Sequence, residues 1–299
     1  MNTLEHFRLA SGREIGVHRF GPEPGDGDRT VVFCHAAPGS GAFDPVPDET
    51  ERRGVTILAP DRPGYGHSAM VRDGEWATVD RAADDIAEIL DRIETGRVGV
   101  VGWSAGGRVA MALAARHPDR VDRVVVVATP APDEEVPWIP PEQKAGIDAM
   151  RGLPAAQVHA ALGEQLMAMV PADPRSPEAF GALGYSDAAD AEALRVEGAR
   201  DQLGEMLSEA YRHGAAGMAA DIAGYTLQPW GFEPEQVHAK TLLVFGARDG
   251  LAGSRHGRWW QQHLPDARLE MSPDAGHLVV IPGWKRILSH LAPAGAAVR

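Results

Sequence analysis

The sequence predicts an α/β protein: a mostly parallel central sheet, helices on both faces, and a helical insertion late in the chain. Three observations carry this reading. Short apolar runs alternate with segments of helical periodicity through the first 130 residues. One such run, Val98–Val101, leads through Gly102-Trp103-Ser104-Ala105-Gly106 straight into an alanine-rich helix. The alternation then breaks between about residues 131 and 225 and resumes at Thr241.

Taken in order, Glu14–Phe20 and Thr30–Cys34 read as strands, the second a continuous apolar run of the kind buried on both faces. Val55–Ala59 is another short buried strand. Thr78–Ile93 reads as a helix: Val79, Ala83, Ile86, Leu90 and Ile93 share one face, and Asp84, Asp85, Glu88, Asp91 and Arg92 lie largely on the other. Strand Val98–Val101, helix Ala105–Arg116 and strand Val124–Ala128 follow. From Pro130 to about Tyr225 no strand is evident. Ala155–Met169 carries Val158, Leu162, Leu166 and Met169 at helical spacing, and Ala188–His213 holds one or two further helices. Strand character returns at Thr241–Phe245, followed by helix Arg255–Leu264, strand Arg268–Met271 and a last helix around Trp284–Leu291. The expected organisation is a core of residues 1–130 and 226–299, with residues 131–225 a helical lid over the sheet's C-terminal edge.

Composition narrows the functional classes. At 299 residues and 44% hydrophobic, the chain can bury one large core. A formal charge of −13 argues against nucleic acid or an anionic membrane as partner. The single cysteine, Cys34, excludes an internal disulfide and points to a reducing compartment. The N-terminus lacks a signal-peptide pattern, and no run of about 18 apolar residues suits a membrane span. A cytoplasmic location follows as the expectation. No metal-ligand spacing, phosphate loop or dinucleotide fingerprint occurs, so neither metal nor cofactor is expected.

The chemistry is concentrated at Ser104. A serine on a sharp strand-to-helix turn projects its hydroxyl above the sheet, and the turn requires very small residues two before and two after it. Gly102 and Gly106 meet that need, and Gly107 leaves room for helix packing. The hydroxyl still needs a base, and the base an orienting acid. Both belong on loops at strand C-termini, where open α/β sheets bind ligands. Thr241–Phe245 runs into Gly246-Ala247-Arg248-Asp249, and Arg268–Met271 runs towards Asp274-Ala275-Gly276-His277. The candidates are therefore Ser104, Asp249 and His277, in that chain order. Asp274, in the same loop as His277, and Asp133, after strand Val124–Ala128, are rival acids. Of two N–H donors needed for an oxyanion, Ala105 supplies one, and the loop His35–Gly41 is placed to supply the other.

These motifs resemble the α/β-hydrolase fold superfamily over nearly the whole chain. HAAPGSG is similar to its HGxPG oxyanion loop, which would assign the second donor to Ala37. DRPGYGHS, starting at Asp61, resembles its DxPGxGxS turn, GWSAGG its nucleophile elbow, GARDG its acid loop and AGHL its histidine loop. The resemblance implies a serine hydrolase that works through an acyl-enzyme; the apolar look of the lid, with no recognition site for a peptide amine evident, makes a small-molecule ester with an apolar acyl group the expected substrate. Two departures matter. Ala36 stands where the family usually has glycine, adding a Cβ to a cramped loop. Serine replaces the aspartate of the superfamily's epoxide hydrolases and dehalogenases, which speaks against those activities. The alternatives are a lyase or C–C bond hydrolase using the same three residues, or a non-catalytic binding protein. Trp103, beside the nucleophile, is a candidate for the pocket or, more in keeping with an elbow, for the core, and Trp230 and Phe232 are candidates either for pocket walls or for packing. Met206, Leu207 and Met218 are candidates either for the pocket or for packing of the lid.

Overall fold

Alternate residues of the central strands go to opposite faces, and this period of two generates the layers. The computed structural model describes residues 2–22 and 29–293. Its strands are β1 (Thr3–Arg8), β2 (Glu14–Phe20), β3 (Arg29–Cys34), β4 (Val55–Pro60), β5 (Val98–Trp103), β6 (Val121–Val127), β7 (Lys240–Gly246) and β8 (Ala267–Ser272). They form one sheet in the order β1-β2-β4-β3-β5-β6-β7-β8. β2 runs antiparallel to both neighbours, and every other pair is parallel.

The helices are α1 (Pro47–Arg53), α2 (Val79–Arg92), α3 (Gly106–Arg116), α4 (Pro141–Asp148), α5 (Ala155–Met167), α6 (Asp187–Asp190), α7 (Ala199–Ala210), α8 (Ala216–Leu227), α9 (Ser254–His263) and α10 (Trp284–Leu291). Val32, Val100, Val124, Val126 and Leu243 point to one face, where α2, α3 and α9 close over them. Val31, Val101, Val125 and Leu242 point to the other, where Trp284, Ile287 and Leu288 of α10 cover them. Side chains buried on both faces explain why these strands read as unbroken apolar runs. Each such Val or Leu contributes roughly 1.5–3 kcal/mol.

Between β6 and β7 the described residues contain helices and 3₁₀ turns and no strand. Phe180, Leu183, Leu203, Met206, Leu207 and Met218 of this segment belong to the same buried cluster as Trp103 and Val127. The segment's polar ties run to loops after strand C-termini. Ser40 Oγ donates to the Met206 carbonyl (2.8 Å), Arg62 pairs with Asp221, and the Leu278 N–H donates to Asp190 (2.9 Å). Among the described residues, no helix is long and apolar enough to cross a membrane.

The structure adds β1, α1, α4 and α8 to the elements expected from sequence. β1 is a half-exposed edge strand, TLEHFR, with no apolar run. α8, AGMAADIAGYTL, is small and apolar on nearly all sides and so carries little periodicity.

Candidate active site

The turn from β5 into α3 holds Ser104 at φ +54°, a left-handed conformation that non-glycine residues rarely adopt. Its N–H donates to the Val127 carbonyl at 2.8 Å, anchoring the turn to β6. The flanking glycines are required by close approach. A Cβ on Gly106 would collide with the carbonyl oxygens of Cys34 and His35, and one on Gly107 with the Thr129 side chain. Helix α3 is thereby seated against the β3 loop, and its Gly107 and Arg108 N–H groups close the elbow by donating to the Ser104 and Ala105 carbonyls at 3.1 and 3.2 Å.

Two loops from the far half of the sheet meet this elbow. Asp249 follows β7, and His277 follows β8. His277 Nδ1–H donates to Asp249 Oδ2 at 2.8 Å, leaving Nε2 to accept from the Ser104 hydroxyl at 2.9 Å. All three side chains are buried. Asp249 Oδ1 also accepts the N–H groups of Leu251 (2.8 Å) and Ala252 (2.9 Å). Burial opposes ionisation of Asp249, but the His277 charge, its hydrogen bond and these two N–H groups outweigh it and hold the carboxyl below its usual range. The rival acids lie elsewhere. Asp133 caps the N–H groups of Trp138 and Ile139 and pairs with Lys144, and Asp274 is a surface residue facing Arg248.

The loop after β3 is braced from below. His35 Nδ1–H donates to the Ala36 carbonyl at 2.8 Å, and its Nε2 accepts the Arg62 N–H at 3.1 Å, so the ring is needed in its neutral form. Burial first, and then the Arg62 charge, lower its pKa well below the ordinary histidine value. Arg62 donates to the His35 and Ala36 carbonyls at 2.5 and 2.9 Å, and its fork grips Asp221 of α8 at 3.1 and 2.7 Å. Ala36, the departure from the usual glycine, packs its methyl group in the core cluster. Ala37 follows it, joined to Pro38 by a cis peptide bond.

Sequence reasoning missed Asp190. This buried carboxylate at the end of α6 accepts the Leu278 N–H at 2.9 Å, one residue past His277, while the Gly276 N–H donates to the Ala189 carbonyl at 3.2 Å. Both sides of His277 are thus strapped to the helical segment. Gly276 makes room for it, since a Cβ there would strike the Asp190 carboxylate. Burial raises the pKa of Asp190 despite the N–H groups of Leu278 and Ser186. The small residue before His277 was the one visible sign of this contact.

Packing decides between pocket and core for the aromatic candidates. Trp103 is fully buried, its Nε1–H on the His277 carbonyl (3.0 Å) and its ring beside Phe43, so it supports the histidine loop from the core. Trp230 and Phe232 wall a cleft, but Ser104 is not in its lining. Met206, Leu207 and Met218 are buried packing residues, whereas Met167 and Met169 are exposed.

A sheet of this order, with a serine on its elbow and a histidine and an acid on later strand loops, defines a hydrolase fold whose site lies at the strand C-termini. A family model described as alpha/beta hydrolase fold matches residues 29–283, and the chain belongs to that family. It is 28% identical over 255 residues to a pimeloyl-[acyl-carrier protein] methyl ester esterase of Chromobacterium violaceum, covering 85% of this chain and 88% of that protein. Among solved structures it resembles a hydrolase from Pseudomonas aeruginosa, with TM-score 0.69, 24% identity and coverage of 98% and 99% of the two chains. A thermophilic esterase from Thermogutta terrifontis superposes with TM-score 0.65 and 20% identity over 96% and 95% of the chains.

Proposed function

We propose that this chain is a serine hydrolase that cleaves a small-molecule ester with an apolar acyl group through an acyl-enzyme. The observation that carries the reading is the unbroken relay of hydrogen bonds from Asp249 through His277 to Ser104, at 2.8 and 2.9 Å. Ser104 Oγ attacks the acyl carbonyl as its proton passes to His277 Nε2. Asp249, held ionised, keeps the imidazole in the tautomer with Nδ1–H and stabilises the imidazolium. The N–H groups of Ala37 and Ala105 receive the developing oxyanion, in a loop braced by Arg62 and at the N-terminus of α3. His277 then protonates the leaving alcohol, and water takes the reverse route to release the acid. The ester-cleaving assignment is supported by the esterases among the relatives. The apolar acyl group follows from the apolar character of the helical segment between β6 and β7, seen in α8. Residues 131–225 serve in this reading as the lid that shields the acyl-enzyme from bulk water.

Intact mass after fluorophosphonate treatment tests it, with Ser104→Ala beside the unsubstituted protein. The expected result is one adduct, absent from the variant, and turnover of p-nitrophenyl esters that falls on the order of 10⁴-fold or more in Ser104→Ala. An adduct without ester turnover would redirect the assignment to lyase or C–C bond chemistry. No adduct and no turnover would leave a binding protein.

A further inference from the structure

A cleft apart from the catalytic residues reaches Arg108 of α3. Between the chain entering the helical segment, the chain leaving it and α9 runs this cleft of about 960 Å³, within the range of small-molecule pockets, whose lining excludes Ser104, Asp249 and His277. At its floor is Arg108, one turn past the nucleophile and 1% exposed. Its Nη2 donates to the Pro130 carbonyl at 3.0 Å, but its Nε has no acceptor, and among the described residues no carboxylate lies within ion-pair distance of it. The nearby Asp221 is committed to Arg62. A buried cation without a counter-charge is costly and uncommon.

The walls answer to the same chemistry. The guanidinium carbon lies 4.7 Å from the Tyr225 ring centroid, 5.0 Å from Trp230 and 5.7 Å from Trp138. In a chain with only 6% aromatic residues, these rings make a local concentration suited to a flat ligand. The indole N–H groups of Trp138 and Trp259, both in the lining, also lack acceptors. The floor therefore offers a charged fork and surplus donors. The acids are at the rim, where Asp133 is held by Lys144 and Asp148 by Arg151. Glu135, Glu233 and Glu235, also in the lining, have no basic partner within ion-pair distance among the described residues, and they disfavour a second negative charge on anything entering.

We infer that this cleft binds a small aromatic monocarboxylate, its carboxylate on Arg108 and its ring among Trp138, Tyr225 and Trp230. Two oxygens match the planar fork and supply the missing counter-charge. Burial draws the Arg108 pKa down to about 10, so the guanidinium keeps its charge at neutral pH. The site depends on no property of Ser104.

Isothermal titration calorimetry of the full chain with 2-naphthoate, and with uncharged 2-naphthamide, tests this. One naphthoate is expected per chain, bound at least tenfold more tightly than the amide. Arg108→Gln and Trp138→Leu should each weaken it at least tenfold. Absence of saturable binding, equal affinity for the amide, or affinity unchanged by Trp138→Leu would overturn the proposal. Should Arg108→Gln not fold, the naphthoate-to-naphthamide ratio and Trp138→Leu still decide.

Discussion

Asp249 accepts the His277 Nδ1–H beside two backbone N–H groups, and the histidine contact separates it from Asp133 and Asp274, which also stand after strands of the same sheet. In Asp249→Asn the side-chain amide would present an N–H towards His277 and favour the wrong tautomer. The expected loss in kcat is on the order of 10⁴-fold, with the fold intact by circular dichroism. Asp133→Asn and Asp274→Asn should leave ester turnover essentially unchanged, and steady-state kinetics on the three variants checks the assignment. The residues of this relay were legible because their positions are topological: each stands just beyond a strand that the apolar pattern already marks. The facing of Trp230 and Phe232 was less so, because the direction in which an aromatic ring faces is decided by packing. Trp103 turns inward onto Phe43, and Trp230 stacks on Phe232 and Trp260.

Helix α6 is only four residues long, yet it fixes the loop that carries His277. Asp190 accepts the buried Leu278 N–H, and removing that acceptor leaves an unsatisfied donor, a cost of about 1–3 kcal/mol. Asp190→Ala is expected to lower kcat/KM for esters by one to two orders of magnitude, since a small displacement of a catalytic group costs about 10²-fold. The rate of Ser104 phosphonylation should fall with it. Asp190→Asn keeps an oxygen for Leu278 and should recover most of the rate. Equal losses in both variants would mean that the negative charge, and not the hydrogen bond, matters at this position. A strap of this kind joins residues 88 positions apart and has no local signature. The strands were legible for the opposite reason: burial on both faces writes itself as consecutive Val, Leu and Phe in β3, β6 and β7. α1, seven residues opening on a proline, was too short to show a period.

Across the molecule, the helices between β6 and β7 are not equally bound to the core. Leu203, Met206 and Leu207 of α7 are fully buried in the cluster that includes Val101 and Val125 of the sheet. Helix α5 instead packs in a small satellite of Val158 and Leu162 against Ala219 and Ala223 of α8. α4 buries no residue at all. Leu153 and Met167, at the two ends of α5, and Met169 just beyond it are exposed at 42%, 52% and 56%. Local opening free energy follows buried apolar contact, so the helical segment divides into an inner layer bound to the sheet and an outer layer held chiefly by α8. The outer layer can lift without disturbing the Asp190 strap or the Arg62–Asp221 pair, because neither includes a residue of α4 or α5. On the proposed reading of this segment as a lid, movement of α4 and α5 would leave the Ser104–His277–Asp249 geometry in place. Hydrogen exchange followed by mass spectrometry checks this gradient. Peptides covering 155–167 should exchange at least an order of magnitude faster than those covering 199–210, which should exchange with the strands of the sheet. Equal protection of the two would mean that the segment opens only as a unit. The histidine loop, strapped to α6, would then have to shift with every opening.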